Sequence, residues 1–274
     1  MRLTVAILAQ DEARMIERAV ASGRFADEVL VIDGGSTDAT VEIARLAGAR
    51  VVGRPFDDFA RQRNFALKQA HGDWVLFVDA DERVTPALAR EVLSLLAGSP
   101  DADAYAVPRE SMALGRRLKW HPGGPDAPVR LMRRDAVRWV GLVHERIEGA
   151  RRTGRLSAPL VHFTHRSVSE VVRKIDAYTE FQASELVARG AKPPAARTLV
   201  AAFPKAFVRL WRSGLRAEGG AGAVEAVLLA FNEALVVAKV WEKTRPEPLQ
   251  ETYRRADEEL DLPEPRDDGT EEVQ

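Results

Sequence analysis

Residues 58–82 read DFARQRNFALKQAHGDWVLFVDADE. The first part has helical spacing and is closed by Gly72; the second, DWVLFVD, is a short continuous apolar run that ends on an acid. The same alternation extends upstream. Leu3 to Ala9 is an apolar run, Asp11 to Ser22 is helical through Met15, Ile16, Ala19 and Val20, and Glu28 to Ile32 is a second run. TDATVEIARLAG, closed by Gly48, and the strand RVVG complete the upstream units. Downstream, TPALAREVLSLLAG begins with Thr85 at N-cap and Pro86 at N1 and stops at Gly98. A βαβαβ series of this kind predicts an α/β fold, a mostly parallel sheet with helices on both faces.

Between residues 101 and 166 the pattern changes to the strand-like pieces DAYAVPR, PVRLMRR and PLVHFTH, expected to extend the same sheet as an α+β half. From Ser167 the chain reads as helical: SVSE is a capping box, Gly190 ends the first helix, and Pro193 with Pro194 marks a hinge. The expected organisation is therefore two halves of one domain, 1–100 and 101–166, then a helical extension over 167–245. The segment 246–274 is expected to be an acidic tail without fixed structure, since it carries nine acids and one arginine from Asp257 on.

The 274 residues, 46% of them hydrophobic, can bury a sizeable core. Forty basic residues against 41 acidic ones leave no global field for a nucleic acid, which is excluded as a partner. The absence of cysteine removes disulfides, thiolate metal sites and a cysteine nucleophile together. The N-terminal run meets Asp11 and Glu12 early and lacks a small-residue cleavage site, so it reads as a buried strand, and the cytoplasm is the expected location.

In an open parallel sheet, ligands bind outside the carboxyl ends of the strands. Three such ends are polar here: AQDE at 9–12, DGGSTD at 33–38 and DADE at 79–82. Asp79 and Asp81, two apart, suit one Mg²⁺ or Mn²⁺ ion that also takes substrate phosphate oxygens; the alternative is an acidic turn feeding the Thr85 cap. Gly34 and Gly35 permit close backbone approach and Ser36 to Asp38 can cap the next helix, but a simple βα turn does not explain a carboxylate, Asp33, at the end of a buried strand. Neither G-x-G-x-x-G after the first strand nor a P-loop occurs, which disfavours dinucleotide and P-loop enzymes.

The runs AILAQDEA, VLVIDGGSTDAT and ARQRNFALKQAHGDWVLFVDADE together resemble the nucleotide-sugar half of family 2 inverting glycosyltransferases, which have the GT-A fold. RLMRR, WVGLVHE and LVHFTH, with the helix SVSEVVRKIDAYTEF, more narrowly resemble the bacterial lipopolysaccharide core glycosyltransferases of the WaaE/KdtX kind, up to about residue 242. The resemblance implies that residues 1–100 bind a nucleoside-diphosphate sugar, with a UDP-sugar favoured, and that 101–166 face a glycolipid or saccharide acceptor. It places Asp33 on the base, lines the nucleotide pocket with Ala9, Gln10 and Glu12, and sets Arg63 and Asn64 near the ribose and diphosphate. Asp79 and Asp81 would hold a divalent cation, with Asp79 also touching the donor and His162 a further ligand. Gln10-Asp11-Glu12 stands where many members carry Asn-Glu-Glu. Inverting transfer needs a base for the acceptor hydroxyl. Glu145 and His144 are both candidates for it.

From Pro204, taken as N1 of a helix, Lys205, Arg209, Arg212 and Arg216 form one basic stripe, with Phe207, Leu210 and Trp211 opposite. Such a helix suits an anionic membrane surface, as well as a solvated face. The stretch 223–241 is apolar over most of its circumference but interrupted by Glu225, Asn232, Glu233 and Lys239, and is expected to be buried or interfacial and not a span. Together these features predict a peripheral enzyme on the inner face of the cytoplasmic membrane. The rival reading is a catalytically weak nucleotide- or carbohydrate-binding component of an envelope-assembly complex.

Overall fold

The computed structural model describes residues 2–118, 126–141, 145–212 and 214–260. The first hundred residues alternate as read. Strands β1 (Leu3–Ala9), β2 (Glu28–Asp33), β3 (Arg50–Gly53), β4 (Trp74–Asp79) and β5 (Glu82–Val84) are interleaved with helices α1 (Ile16–Gly23), α2 (Thr40–Leu46), α3 (Phe59–Gln69) and α4 (Pro86–Ala97). Thr85 caps α4 by accepting from the Leu88 N–H at 3.1 Å, with Pro86 in the first turn.

There follow β6 (Ala104–Ala106), β7 (Arg109–Ala113), β8 (Arg116–Arg117), β9 (Val129–Arg133), β10 (Arg138–Val140), β11 (Arg146–Glu148), β12 (Thr153–Arg155) and β13 (Leu160–Phe163). Seven strands form the main sheet in the order β12-β6-β9-β4-β1-β2-β3. β4, β1, β2 and β3 run parallel, and β9 is inserted antiparallel to both β4 and β6. The expectation of one extended sheet is corrected for β7 and β13, which join β5 and β8 in a separate four-stranded sheet.

Strands of the main sheet read as unbroken apolar runs because both faces are covered. Val5, Ile7, Leu76 and Val78 point into one core with Ile16, Val20, Leu88 and Val92 of α1 and α4. Their alternates Ala6, Leu30, Ile32, Val75 and Phe77 pack with Ala66 and Leu67 of α3 and with Trp139 of β10. Gly72 has no substitute, since a Cβ there would stand 2.6 Å from the Thr4 amide nitrogen.

The helices α5 (Val168–Ala188), α6 (Ala196–Arg212), α7 (Gly219–Lys243) and α8 (Leu249–Glu258) complete the chain. Contacts divide it into two units, Met1–Arg173 with Leu210–Glu225, and Lys174–Arg209 with the residues from Ala226 on, so the helical part is not one module starting at Ser167. Within the first unit, Arg116 pairs with buried Glu218 at 3.2 Å and His165 Nδ1 meets buried Glu225 at 2.7 Å. Within the second, Lys239 pairs with Asp176 at 2.8 Å, and Lys243 with Glu180.

Three sequence expectations change here. Pro204 lies inside α6, not at its start. The helix is already two turns long when it reaches Pro204, and the proline removes only the bond to the carbonyl of Val200, a residue 80% exposed where water can substitute. The tail is helical over Leu249–Glu258, where Arg254 pairs with Glu251 and Glu258 one turn to either side. Finally, Leu215–Lys243 is long and apolar enough to cross a membrane by length and composition, and its apolar window is only 28% buried, so α7 is not the core helix one alternative foresaw.

Glu28 yields a test of the strand edge opposite the candidate site. Burial pushes its carboxyl up, but the Thr4 hydroxyl, the His71 N–H and Arg50 overcome this and hold it below the usual range. A depressed folded value contributes stability above the unfolded carboxylate pKa, lost as pH falls through the folded one. Glu28→Gln is expected to cost about 1–2 kcal/mol at pH 7. In urea melts the gap from wild type should close as pH falls through and below the usual carboxylate range; a gap that persists unchanged contradicts the assignment.

Candidate active site

The register of the parallel strands sets the site. Ala9 pairs with Asp33 and Leu8 with Asp79, so the ends of β1, β2 and β4 reach one edge of the sheet together. At β1 the Ala9 carbonyl accepts from Gly34 N at 2.8 Å, and Gln10 is exposed beside Gly34. The Asp33 carboxylate accepts from the Gly35 amide at 3.1 Å and the Ser36 hydroxyl at 2.6 Å, which fixes a turn whose Gly35 has φ +100°. Asp11, itself at φ +51°, ties the two loops by accepting from Thr37 N at 2.7 Å. Arg166 reaches the Glu12 carboxylate at 3.1 Å.

At β4 the charges concentrate. Asp79 Oδ2 accepts from Arg130 at 2.6 Å and Oδ1 from Arg63 at 3.2 Å. Arg130 also donates to buried Glu82 at 2.7 Å, and Arg109 reaches Glu82 at 3.2 Å. The antiparallel register Leu76↔Leu131 is what carries Arg130 toward the carboxyl end of β4. Burial by itself would push the Asp79 carboxyl up; the Arg130 and Arg63 charges prevail and hold it well below the usual carboxylate range. It is therefore ionised at neutral pH.

Arg63 donates through Nε to Glu145 at 3.2 Å. Its guanidinium carbon lies 5.3 Å from the Phe77 ring centroid and 5.0 Å from that of Trp139. Asp81 stands apart from this cluster. Its Oδ2 lies 3.4 Å from His162 Nε2, because β13 pairs His162 with Glu82 and the Phe163 N–H donates to the Asp81 carbonyl at 2.8 Å.

The sequence expectations divide accordingly. Arg63, Asp79 and Glu145 come together, as do Asp81 and His162; Ala9, Gln10, Glu12 and Asp33 line the neighbouring strand ends. His144 lies outside the described residues. Among the described residues no group of three His, Asp or Glu side chains is arranged to hold a metal ion, so Asp79, Asp81 and His162 do not form the expected ligand set. The reason is local: each Asp79 oxygen faces a guanidinium. Asp81 and His162 remain as an acid–imidazole pair through Nε2, while His162 Nδ1, the other ring nitrogen, is buried without a hydrogen-bond partner.

Asn64 is also corrected. Its amide donates to the Trp139 carbonyl at 2.8 Å and accepts from the Trp139 N–H at 2.9 Å, holding β10 on α3 instead of reaching the ribose or diphosphate. Arg130, Glu82, Arg109 and Arg166 escaped the sequence reading. Glu82 directly follows DAD and Arg130 opens RLMRR, so a buried acid and its counter-ion were both adjacent to quoted motifs.

A model of the family described as "Glycosyl transferase family 2" matches residues 4–149. The chain belongs to glycosyltransferase family 2. This glycosyltransferase is 30% identical over 254 residues to "Lipopolysaccharide core biosynthesis glycosyltransferase LpsC" of Rhizobium meliloti, covering 88% of this chain and 92% of that one. It is 28% identical over 255 residues to an "Uncharacterized glycosyltransferase" of Rickettsia bellii, covering 88% and 86%. Among solved structures it is similar to the Staphylococcus aureus TarS 1–349 complex with UDP-GlcNAc, at 15% identity, 93% and 92% coverage and a TM-score of 0.48.

Asn64→Ala leaves both polar groups of the buried Trp139 backbone without their partner, a loss of about 1–3 kcal/mol. Thermal unfolding should register that loss, while calorimetric nucleotide affinity stays within about twofold. A large fall in affinity with unchanged melting would restore the donor-contact role.

Proposed function

We propose that this glycosyltransferase moves a sugar, with inversion, from a nucleoside diphosphate to a hydroxyl of a lipopolysaccharide-core or related envelope glycolipid. The observation that carries the reading is that Arg63 brings Asp79 and Glu145 together at the end of β4, with the Asp81–His162 pair two residues further along the chain. The name borne by LpsC, a relative over nearly the whole chain, supports the acceptor class.

Glu145 accepts the proton of the acceptor hydroxyl as that oxygen bonds to the anomeric carbon, and the bond from that carbon to the diphosphate breaks with its electron pair on the leaving oxygen. Asp81 and His162 would hold a divalent cation, Mg²⁺ or Mn²⁺, whose chemistry when bound would be to neutralise charge on the diphosphate. Asp79, fixed by two arginines, orients the donor; Gln10, Glu12 and Asp33 line the nucleotide side, where UDP is the favoured carrier.

Glu145→Gln keeps size and hydrogen bonding and is expected to lower kcat by about 10² to 10⁴ with donor binding retained. Release of nucleoside diphosphate from UDP-sugars in the presence of a glycolipid acceptor measures this. A wild-type chain that binds nucleotide but never releases it supports the rival reading of a binding component. Asp81→Asn should raise the Mn²⁺ concentration for half-maximal activity by about tenfold or more, a shift of roughly 1.4 kcal/mol.

An acceptor of this class would put the protein at the cytoplasmic face of a membrane, a reading that the relationship to LpsC supports. α6 carries Lys205, Arg209 and Arg212 of the basic stripe, whereas Arg216 lies past its end in the 3-10 turn Leu215–Glu218, and Val200, Phe203 and Val208 are exposed on the helix. Arg209 of the stripe pairs with Glu233, so Lys205 and Arg212 are its lipid-facing charges, each contributing about 1 kcal/mol near an anionic surface. Charge reversal at Lys205 and Arg212 should release the protein from phosphatidylglycerol vesicles at low salt. Equal flotation of variant and wild type would assign the stripe to solvent.

A further inference from the structure

We infer that Arg63 is the positioning residue that couples the two sides of the transfer, holding the Glu145 carboxylate in line with Asp79. This rests on the reading of Glu145 as base and goes beyond the donor contact that family resemblance assigns to Arg63. Two different nitrogens of one planar group serve two carboxylates, Nε to Glu145 and Nη2 to Asp79, both at 3.2 Å. A planar fork of this kind fixes direction as well as distance.

The guanidinium itself cannot swing. Its side chain is 6% exposed and lies against Phe77 of β4 and Trp139 of β10. Trp139 is in turn gripped at both its N–H and its carbonyl by Asn64, the residue next to Arg63 on α3. Trp139 and Glu145 are also linked by strand pairing: β10 pairs with β11 through Val140↔Arg146, so the strand that follows Glu145 is hydrogen-bonded to the strand that stacks on Arg63. A phosphate ligand would be expected to present its fork to the substrate. Here two arms of the fork are committed to protein carboxylates, and the side chain is buried.

If Arg63 works by alignment, its loss should appear in turnover and not in donor binding, because a displacement of about 1 Å at a reacting group can cost 10²-fold. Arg63→Gln is expected to lower kcat about 30- to 100-fold with calorimetric UDP affinity within about threefold. Arg63→Lys, a point charge that can satisfy one carboxylate at a time, should recover part of that loss. In the Glu145→Gln background, Arg63→Gln should add less than about threefold, since the group it positions no longer acts as a base.

A tenfold loss of UDP affinity with kcat preserved would overturn the inference and return Arg63 to the donor. Losses that multiply in the double variant would also overturn it. Should Arg63→Gln fail to fold, Arg63→Lys alone and in the Glu145→Gln background makes the same comparison. A fully active Glu145→Gln single variant would instead sink the base assignment, a result separable from either outcome for Arg63.

Discussion

Asp79, Glu82 and Glu145 could not share the end of one strand without Arg63 and Arg130. Carboxylates brought within a few ångströms in a partly dry site repel, and one of them would take up a proton. Arg130 meets two of the three directly and Arg63 meets two, so every carboxylate has a guanidinium and Asp79 has both. Taking these charges from water is costly, and the balance is met only because the geometry of each pair is close. The arrangement of the antiparallel strand β9 and of the β10 to β11 hairpin follows from this need, since they bring Arg130, Trp139 and Glu145 to an edge built by parallel strands.

This need also explains what could be read along the chain and what could not. Apolar runs such as LTVAILA and WVLFV, and caps such as Thr85, are governed by neighbours within a few residues, and they emerge where the pattern puts them. Arg130 depends on a pairing across more than fifty positions, and no local pattern distinguishes it from the surface arginines around it. Asn64 shows the same limit: a polar residue beside a charged motif looks like a ligand contact, and its clamp on the Trp139 backbone emerges only from a partner seventy-five positions away. Asp79 and Asp81 are identical in sequence terms. The partners they meet, two arginines for one and a histidine for the other, separate their surroundings.

The helical part obeys a different balance. Its charged residues are used between helices: Glu180 of α5 sits between Lys239 and Lys243 of α7, and these lysines hold its carboxyl below the usual range. Polar interruptions in an otherwise apolar helix therefore register it against its neighbour. That leaves Val227, Phe231 and Trp241 exposed on α7 beside a paired polar stripe, a division between greasy and ionic faces that an interfacial helix requires.

The insertion of β9 beside β4 has a consequence for synthesis on the ribosome. β1, β2 and β4 can associate as soon as Asp79 has emerged, but the other edge of β4 is completed only by Val129–Arg133. About fifty residues must be added in between, which takes roughly 2.5–10 s at about 5–20 residues per second. Throughout that interval the nascent chain displays WVLFV as an open, apolar strand edge, the kind of surface that templates misassembly between neighbouring chains. Slower synthesis across residues 80–130 lengthens that exposure.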